Sequence, residues 1–275
     1  MSGQTGIPRA GTPGTGAARS GVAKLAGRWP SVPALPGIDG GSKWAPPVPE
    51  PDGLAELSLF RGLTTEQLSK ISTLLQRKSC PAGTEIIRAD QTGEIAYVIL
   101  DGSVKIHVGQ PDGSDVILAI LGAGAIVGEM SLSDSLGRSA SVSTLEPSTF
   151  LLVDRASFWA SLREMPMMAY NLMNILSRRL RLANLHTQSL VRLDVYGRVA
   201  GQLLALAREY GEANSRGSVV IPLRLTQSDL ASMVGASRVR VNQALSFYKK
   251  RNYLSVNNDR HFVIHDPAAL SRRCT

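Results

Sequence analysis

A chain of 275 residues, 43% hydrophobic and with a formal net charge of +8, is long enough for two domains and apolar enough to bury real cores. It holds no apolar run of the ~18–20 residues that a membrane span needs, and its N-terminus lacks the h-region of a secretory signal. Cys80 and Cys274 stand far apart with no CxxC or Cys/His spacing, so membrane, disulfide-stapled and zinc-held classes fall away and a reducing cytoplasm is the expected compartment.

The charge is uneven. Residues 1–53 carry a net +2, residues 54–191 a net −1, and residues 192–275, with 13 Lys/Arg against 6 Asp/Glu, a net +7. A basic final third beside a near-neutral middle points to a polyanion as that third's partner.

In chain order, residues 1–53 are more than a third Gly plus Pro and carry no apolar period, which predicts a disordered tail. Order is expected from about Gly53. In LAELSLFRGLTTEQLSKISTLL, Leu63, Leu68, Ile71 and Leu75 recur at helical spacing, with Thr64 or Thr65 as a cap and Gln67 behind it. Between Gly83 and Asp154 come short runs, EIIR, IAYVIL, SVKIHV, DVILAIL, SASVST and TFLLVD, separated by glycines. Strands at that spacing predict an antiparallel sandwich or roll. One long helical stretch is expected from about Arg155 to Val191. Its Leu172, Leu176, Leu180, Ala183, Thr187 and Leu190 form a seam for a helix of a second copy, the alternative being packing on the chain's own roll.

After a further helix (GRVAGQLLALAREYG), LTQSDLASMVGASRVRVNQALSFYKK predicts two short helices. Thr226 to Asp229 is a capping-box-like start, Gly235 a left-handed break and Ser237 a second cap. Two helices joined by a tight glycine turn make a helix-turn-helix. On the second helix Val241, Ala244, Leu245 and Tyr248 fall on one side. Val239, Gln243, Ser246 and Lys250 lie opposite, flanked by Arg238, Arg240 and Asn242. Arg and Gln can pair with guanine and adenine edges in a major groove. Lys249, Lys250 and Arg251 suit phosphates. YLSVNNDRHFVI then reads as a two-stranded wing turning at residues 257–260.

GEMSLSDSLGRSASV, residues 128–142, sets Gly-Glu at one end of a small-residue loop and Arg-Ser-Ala at the other. Arg138, the Ser139 hydroxyl and neighbouring N–H groups can hold a phosphate, while Glu129 can accept from sugar hydroxyls and Gly128 allows close backbone approach. The pair fits a sugar–phosphate ligand with a free 2′-hydroxyl. Direct pairing of Arg138 with Glu129 is the alternative. No metal cluster and no His or acid pair is placed to activate water, which argues against an enzyme. His107 reads as an edge or surface residue rather than a haem ligand.

These motifs, with AGTEIIRADQTGEIAYVILDGSVKI at 82–106 and LDVYGRVA at 193–200, resemble the CRP/FNR superfamily of transcription factors, in particular its cyclic-nucleotide-responsive catabolite activator group. The resemblance covers about residues 54–270. It implies an α+β chain: an antiparallel, jelly-roll-like β-roll that binds a cyclic nucleotide (54–164), a long dimerisation helix (165–191) and a C-terminal winged helix-turn-helix (192–275). By the family pattern Gly128 and Glu129 would meet the ribose, and Arg138, Ser139 and Ala140 the cyclic phosphate. Two helix positions that are Thr-Ser in the enterobacterial cyclic-AMP receptor fall at Ala183 and Asn184, which leaves Asn184 as a base contact and cGMP as a competitor to cAMP. The implied partners are a second copy of the chain, a double-stranded operator read by Ser237, Arg238, Val239, Arg240, Asn242, Gln243, Lys249 and Lys250, and RNA polymerase. A ligand-independent regulator with a vestigial pocket stays open as the second reading.

Overall fold

The computed structural model describes residues 50–111, 113–134, 136–214 and 217–274. The tail expected over residues 1–53 lies outside them as far as residue 49. Two short helices open the described chain, α1 (Pro51–Ala55) and α2 (Thr65–Ser72). Thr64 starts the second: its hydroxyl accepts from the Gln67 N–H at 3.2 Å, and the Gln67 side chain accepts from the Thr64 N–H at 3.0 Å. This reciprocal cap fixes the turn that aims Leu68 and Ile71 into the core.

Eight strands follow: β1 (Gln76–Cys80), β2 (Glu85–Ile87), β3 (Ile95–Asp101), β4 (Ser103–Gly109), β5 (Asp115–Gly122), β6 (Ile126–Val127), β7 (Ser141–Thr144) and β8 (Ser148–Asp154), with helix α3 (Glu129–Asp134) between β6 and β7. They form two antiparallel four-stranded sheets, ordered β1-β8-β3-β6 and β2-β7-β4-β5. Ile87, Tyr97, Ile99, Val104, Val142 and Phe150 fill the space inside the roll. Ala96, Val98 and Leu100 alternate with Tyr97 and Ile99 and pack outward, in one cluster with Leu54, Leu57 and Phe60. Strand β3 is therefore covered on both faces, which is why IAYVIL reads as an unbroken apolar run. Each such side chain taken out of water contributes ~1.5–3 kcal/mol.

The single helix expected over residues 155–191 is two, α4 (Arg155–Glu164) and α5 (Pro166–Arg192). The break falls at Met165, held at φ −124° and ψ 78°. A proline ring disfavours helical geometry in the residue before it, yet suits the first position of a new helix. The 27 residues of α5 span ~40 Å. Of the expected seam, Leu172 is buried, whereas Leu176, Leu180, Ala183, Thr187 and Leu190 are exposed.

The C-terminal third holds α6 (Val195–Tyr210), β9 (Glu212–Ala213), β10 (Val219–Ile221), α7 (Gln227–Val234), α8 (Arg238–Lys250), β11 (Leu254–Val256), β12 (Phe262–Ile264) and α9 (Pro267–Ser271). The wing hairpin β11–β12 continues into a four-stranded sheet through β10 and β9. Val199, Leu203, Leu230, Val241, Leu245 and Tyr248 make the core of this unit. Ile117 and Ile120 of β5 belong to the same cluster, so the C-terminal unit is seated on the roll. No helix among the described residues is long and apolar enough to cross a membrane.

Candidate ligand cavity and DNA-reading face

Residues 128–142 are not a loop throughout, since α3 occupies Glu129–Asp134. Gly128 precedes it at φ 84°, a left-handed geometry that favours glycine. A Cβ there would also lie 2.6 Å from Nη1 of Arg138 and 3.0 Å from the Ile95 carbonyl oxygen. The turn that launches α3 thus brings Glu129 to the same site as the arginine nine residues on.

Arg138 is pinned by its backbone, whose N–H donates to Gln91 O at 2.9 Å and whose carbonyl accepts from the Asp90 N–H at 3.0 Å. Its side chain is buried. Nη1 donates to Gly128 O and to Ser131 Oγ, both at 2.8 Å, and Nη2 donates to Ile95 O at 2.7 Å. Burial pulls its pKa below the ordinary guanidinium value, opposed by the Tyr97, Glu129 and Glu94 acids nearby. All three acceptors are neutral, so the positive charge keeps its field. Buried charge in that condition favours an anion close by.

Glu129, 4% exposed, pairs with a different arginine from the one the sequence alternative named. Arg179 of α5 donates from Nη1 to Glu129 Oε1 at 2.7 Å, and its Nη2 donates to Ile126 O. The acid is in this way tied to the long helix. Ser139 is exposed and its hydroxyl points to Met130 Sδ at 3.8 Å, while Ala140 is buried. Gly128, Glu129, Arg138, Ser139 and Ala140 line one cavity of about 1810 Å³ that runs on toward α5 and the C-terminal unit. Asn184 is exposed and does not line it; the cavity meets α5 at Leu180 and Ala183 instead.

Two contributors escape a reading of the motif. Gly93 faces the guanidinium so closely that a Cβ on it would sit 2.2 Å from Arg138 Nε. Its only signal is a glycine before IAYVIL. Ser131 supplies a hydroxyl to Arg138, three residues into α3. His107 is engaged elsewhere, with Nδ1 3.2 Å from Asp115 Oδ1 and Nε2 3.0 Å from Ser143 Oγ. No group of three His, Cys, Asp or Glu among the described residues could hold a metal ion.

The second candidate face is the pair α7 and α8. The Thr226 hydroxyl accepts from the Asp229 N–H at 3.0 Å, and the Asp229 carboxylate accepts from the Thr226 N–H at 2.9 Å. Gly235 closes α7 at φ 60° and ψ 48°. Ser237 caps α8, accepting from the Arg240 N–H at 3.4 Å. Val241, Ala244, Leu245 and Tyr248 are buried. Burial pushes the Tyr248 phenol up to about 12, and its hydroxyl donates to Tyr196 O at 2.8 Å, tying α8 to α6. Arg238, Val239, Arg240, Asn242, Gln243, Lys249 and Lys250 are exposed with Ser237 at their head, and Val239 is 67% exposed. Arg251 lies over the Phe247 ring at 3.7 Å, which holds one more cation near the end of the same helix.

A profile of the cyclic nucleotide-binding domain matches residues 77–164, and one of the Crp-like helix-turn-helix domain matches residues 197–273. Over 220 residues the chain is 32% identical to a CRP-like cAMP-activated global transcriptional regulator of Mycobacterium tuberculosis (strain H37Rv), covering 80% of this chain and 97% of that protein. It is 33% identical over 187 residues to the cyclic AMP receptor protein of Thermus thermophilus, covering 68% and 83% of the two chains. Among solved structures, FixK2 of Bradyrhizobium japonicum shares the fold with a TM-score of 0.65 at 23% identity, covering 73% of this chain and 98% of that one. With both domain types in this order and that identity sustained along nearly the whole mycobacterial regulator, the chain belongs to the CRP/FNR family of transcriptional regulators.

Proposed function

We propose that this chain is a homodimeric, sequence-specific DNA-binding regulator gated by cAMP, with cGMP as the competing ligand. The observation that carries the ligand is that Arg138, a buried cation whose hydrogen bonds go only to neutral oxygens, lines the same cavity as the Glu129 carboxylate. Arg138, Ser139 and Ala140 would take the cyclic phosphate, and Gly128 and Glu129 the ribose hydroxyl. Asn184, exposed and outside the cavity of its own protomer, is the proposed base contact only across the dimer, from α5 of the second copy. Residues 54–164, with the start of α1 before them, form the sensing unit, 165–191 the dimerisation helix, 192–275 the reader and the residues before α1 a tail. Arg238, Val239, Arg240, Asn242 and Gln243 face base edges, with Ser237, Lys249 and Lys250 on phosphates. The chain acts in the cytoplasm, contacts RNA polymerase at its operators, and catalyses no reaction of its own.

The mechanism is a shift between two arrangements of the dimer. The ligand can favour the one that sets two α8 helices about one DNA turn, ~34 Å, apart only by binding it more tightly. Calorimetry with cAMP and with cGMP, each repeated in the presence of operator DNA, tests this. Affinity that rises with DNA for one of the two nucleotides supports the reading, and no heat with either refutes the ligand.

One observation favours the second reading, a ligand-independent regulator. Glu129 is already held by Arg179, and both terminal nitrogens of Arg138 already have acceptors. A thermal melt unchanged by either nucleotide, in a chain that still binds its operator, would select that reading.

A further inference from the structure

We propose that the consecutive arginines 178 and 179 of α5 transmit between the ligand cavity and the seating of the C-terminal unit on the roll, with Tyr210 on Gly122 as the seat. The inference rests on the gating proposed above and names the residues that would carry it. Neighbours on a helix point about 100° apart, and these two reach in different directions. Arg179 holds Glu129 in the cavity, while Arg178 Nη2 lies 2.5 Å from Glu209 Oε2 on α6. Glu209 precedes Tyr210, the last residue of that helix.

Tyr210 is where the C-terminal unit meets β5. Its ring lies so close over Gly122 that a Cβ there would stand 3.2 Å from both Cδ1 and Cε1, with Leu223 Cδ2 at 3.5 Å. Burial, with Glu209 adding, pushes the phenol up to about 12, against a backbone hydrogen bond from Gly122. Around this seat Ile117 and Ile120 share the buried cluster with Leu223, Leu225 and Met233. Ser103 donates to Glu146 Oε1 at 2.6 Å, and Glu146 Oε2 faces Arg224 Nε at 3.7 Å across the same boundary. A glycine at this point of β5 thus serves an aromatic from another unit rather than a turn.

The route follows from competition for one carboxylate. A sugar hydroxyl that donates to Glu129 shares with Arg179 a carboxylate whose Oε1 already holds the guanidinium, and so draws charge and geometry away from that grip. Any change in the grip of Arg179 moves a helical turn that also carries Arg178, and through Glu209 it bears on Tyr210. Arg178, Glu209 and Tyr210 also border the cavity where it reaches the C-terminal unit; they are positioning residues here, and none is assigned a contact with ligand or DNA.

The experiment measures the coupling factor, the ratio of operator affinities with and without saturating cAMP, by fluorescence anisotropy. Arg178→Ala and Glu209→Gln should each lower that factor by about two- to fivefold, the worth of an exposed ion pair. The reversed pair Arg178→Glu with Glu209→Arg should restore it, which a merely structural role would not do. Gly122→Val, which drives Tyr210 off its seat, should lower it further. Glu209→Gln keeps the size of the side chain and decides the matter if Gly122→Val does not fold. A wild-type chain that is coupled, with Arg178→Ala and Glu209→Gln coupled to the same degree, overturns this proposal alone. A wild-type factor of one overturns the gating itself and this proposal with it.

Discussion

A guanidinium that gives both terminal nitrogens to neutral oxygens is held in place without being neutralised. Arg138 is in that condition, so its removal should act on ligand and fold together. A hydrogen bond to a charged group is worth ~1.5–3 kcal/mol, or about 10- to 100-fold in affinity. Arg138→Ala should weaken cAMP binding by at least that factor in calorimetry, and Arg138→Lys, which keeps the charge but loses the fork, should fall between. It should also lower the melting temperature, because Ile95 O and Gly128 O lose a buried donor. Gly93→Ala gives a second handle at the same scale. Its methyl group would collide with Nε and Cζ of Arg138, at 2.2 and 2.4 Å. We expect it to reproduce much of the Arg138→Ala loss of affinity while the arginine is still present, measured by the same titration. Arg138 and Glu129 were legible in the sequence because the chemistry needs a cation and a carboxylate near small residues. Gly93 and the partner of Glu129 were not, since each arrives from an element 30 or more positions away and no local pattern marks the meeting.

At the scale of elements, what the sequence showed well were those whose pattern is set within the element. The capping box at Thr226, the left-handed Gly235 and the buried stripe of α8 are local, and each stands where the residues imply. Strands β2, β3, β4, β5, β7 and β8 fall on the runs that alternate between glycines. Missed in the roll were β1, whose QRKSC offers the core only Cys80, and β6, which has two residues. Both are made strands by their partners, β8 and β3, rather than by propensity. The division of α4 from α5 was present in the sequence as Pro166 and was outweighed by the helical period on either side. The face of α8 also makes a prediction about DNA. The resemblance to the enterobacterial cyclic-AMP receptor, whose recognition helix uses Arg, Glu and Arg, implies that only the first is kept here, as Arg238, with Val239 and Gln243 at the other two positions. Valine cannot accept from cytosine N4 but can touch a thymine methyl, and glutamine suits adenine. Selection from randomised DNA should therefore return a half-site other than TGTGA, with the change at the positions that Val239 and Gln243 face. Recovery of TGTGA unaltered would contradict this assignment of the reading side chains.

At the scale of the whole molecule, α5 is a helix that one chain leaves largely uncovered. Its first turns are buried by Met168 and Leu172, while Met173, Leu176, Leu180 and Leu190, which recur on one side, are each at least 37% exposed. An apolar side left uncovered along so long a helix fits the proposed dimer, since such stripes mark association surfaces. The seam expected from the spacing of Leu176, Leu180 and Leu190 lies on that uncovered side, so the same helix that carries Arg179 to the ligand cavity would also carry the dimer contact. Leu180→Glu tests the dimer role: Leu180 is 64% exposed within one chain, so its replacement disturbs little of the protomer's own packing, and because it also borders the cavity the oligomeric state is read without nucleotide. Placed in a helix–helix seam, however, it loses ~1.5–3 kcal/mol of burial per copy and adds a charge with no partner. The variant should keep its helical circular dichroism and its melting cooperativity while sedimenting as a monomer at micromolar concentration. Operator binding should then fall steeply, since a single α8 reads one half-site and loses the second, linked contact. If Leu180→Glu sediments as the wild type does and binds the operator equally well, α5 does not form the dimer seam and the paired reading of the two half-sites must be carried by another surface.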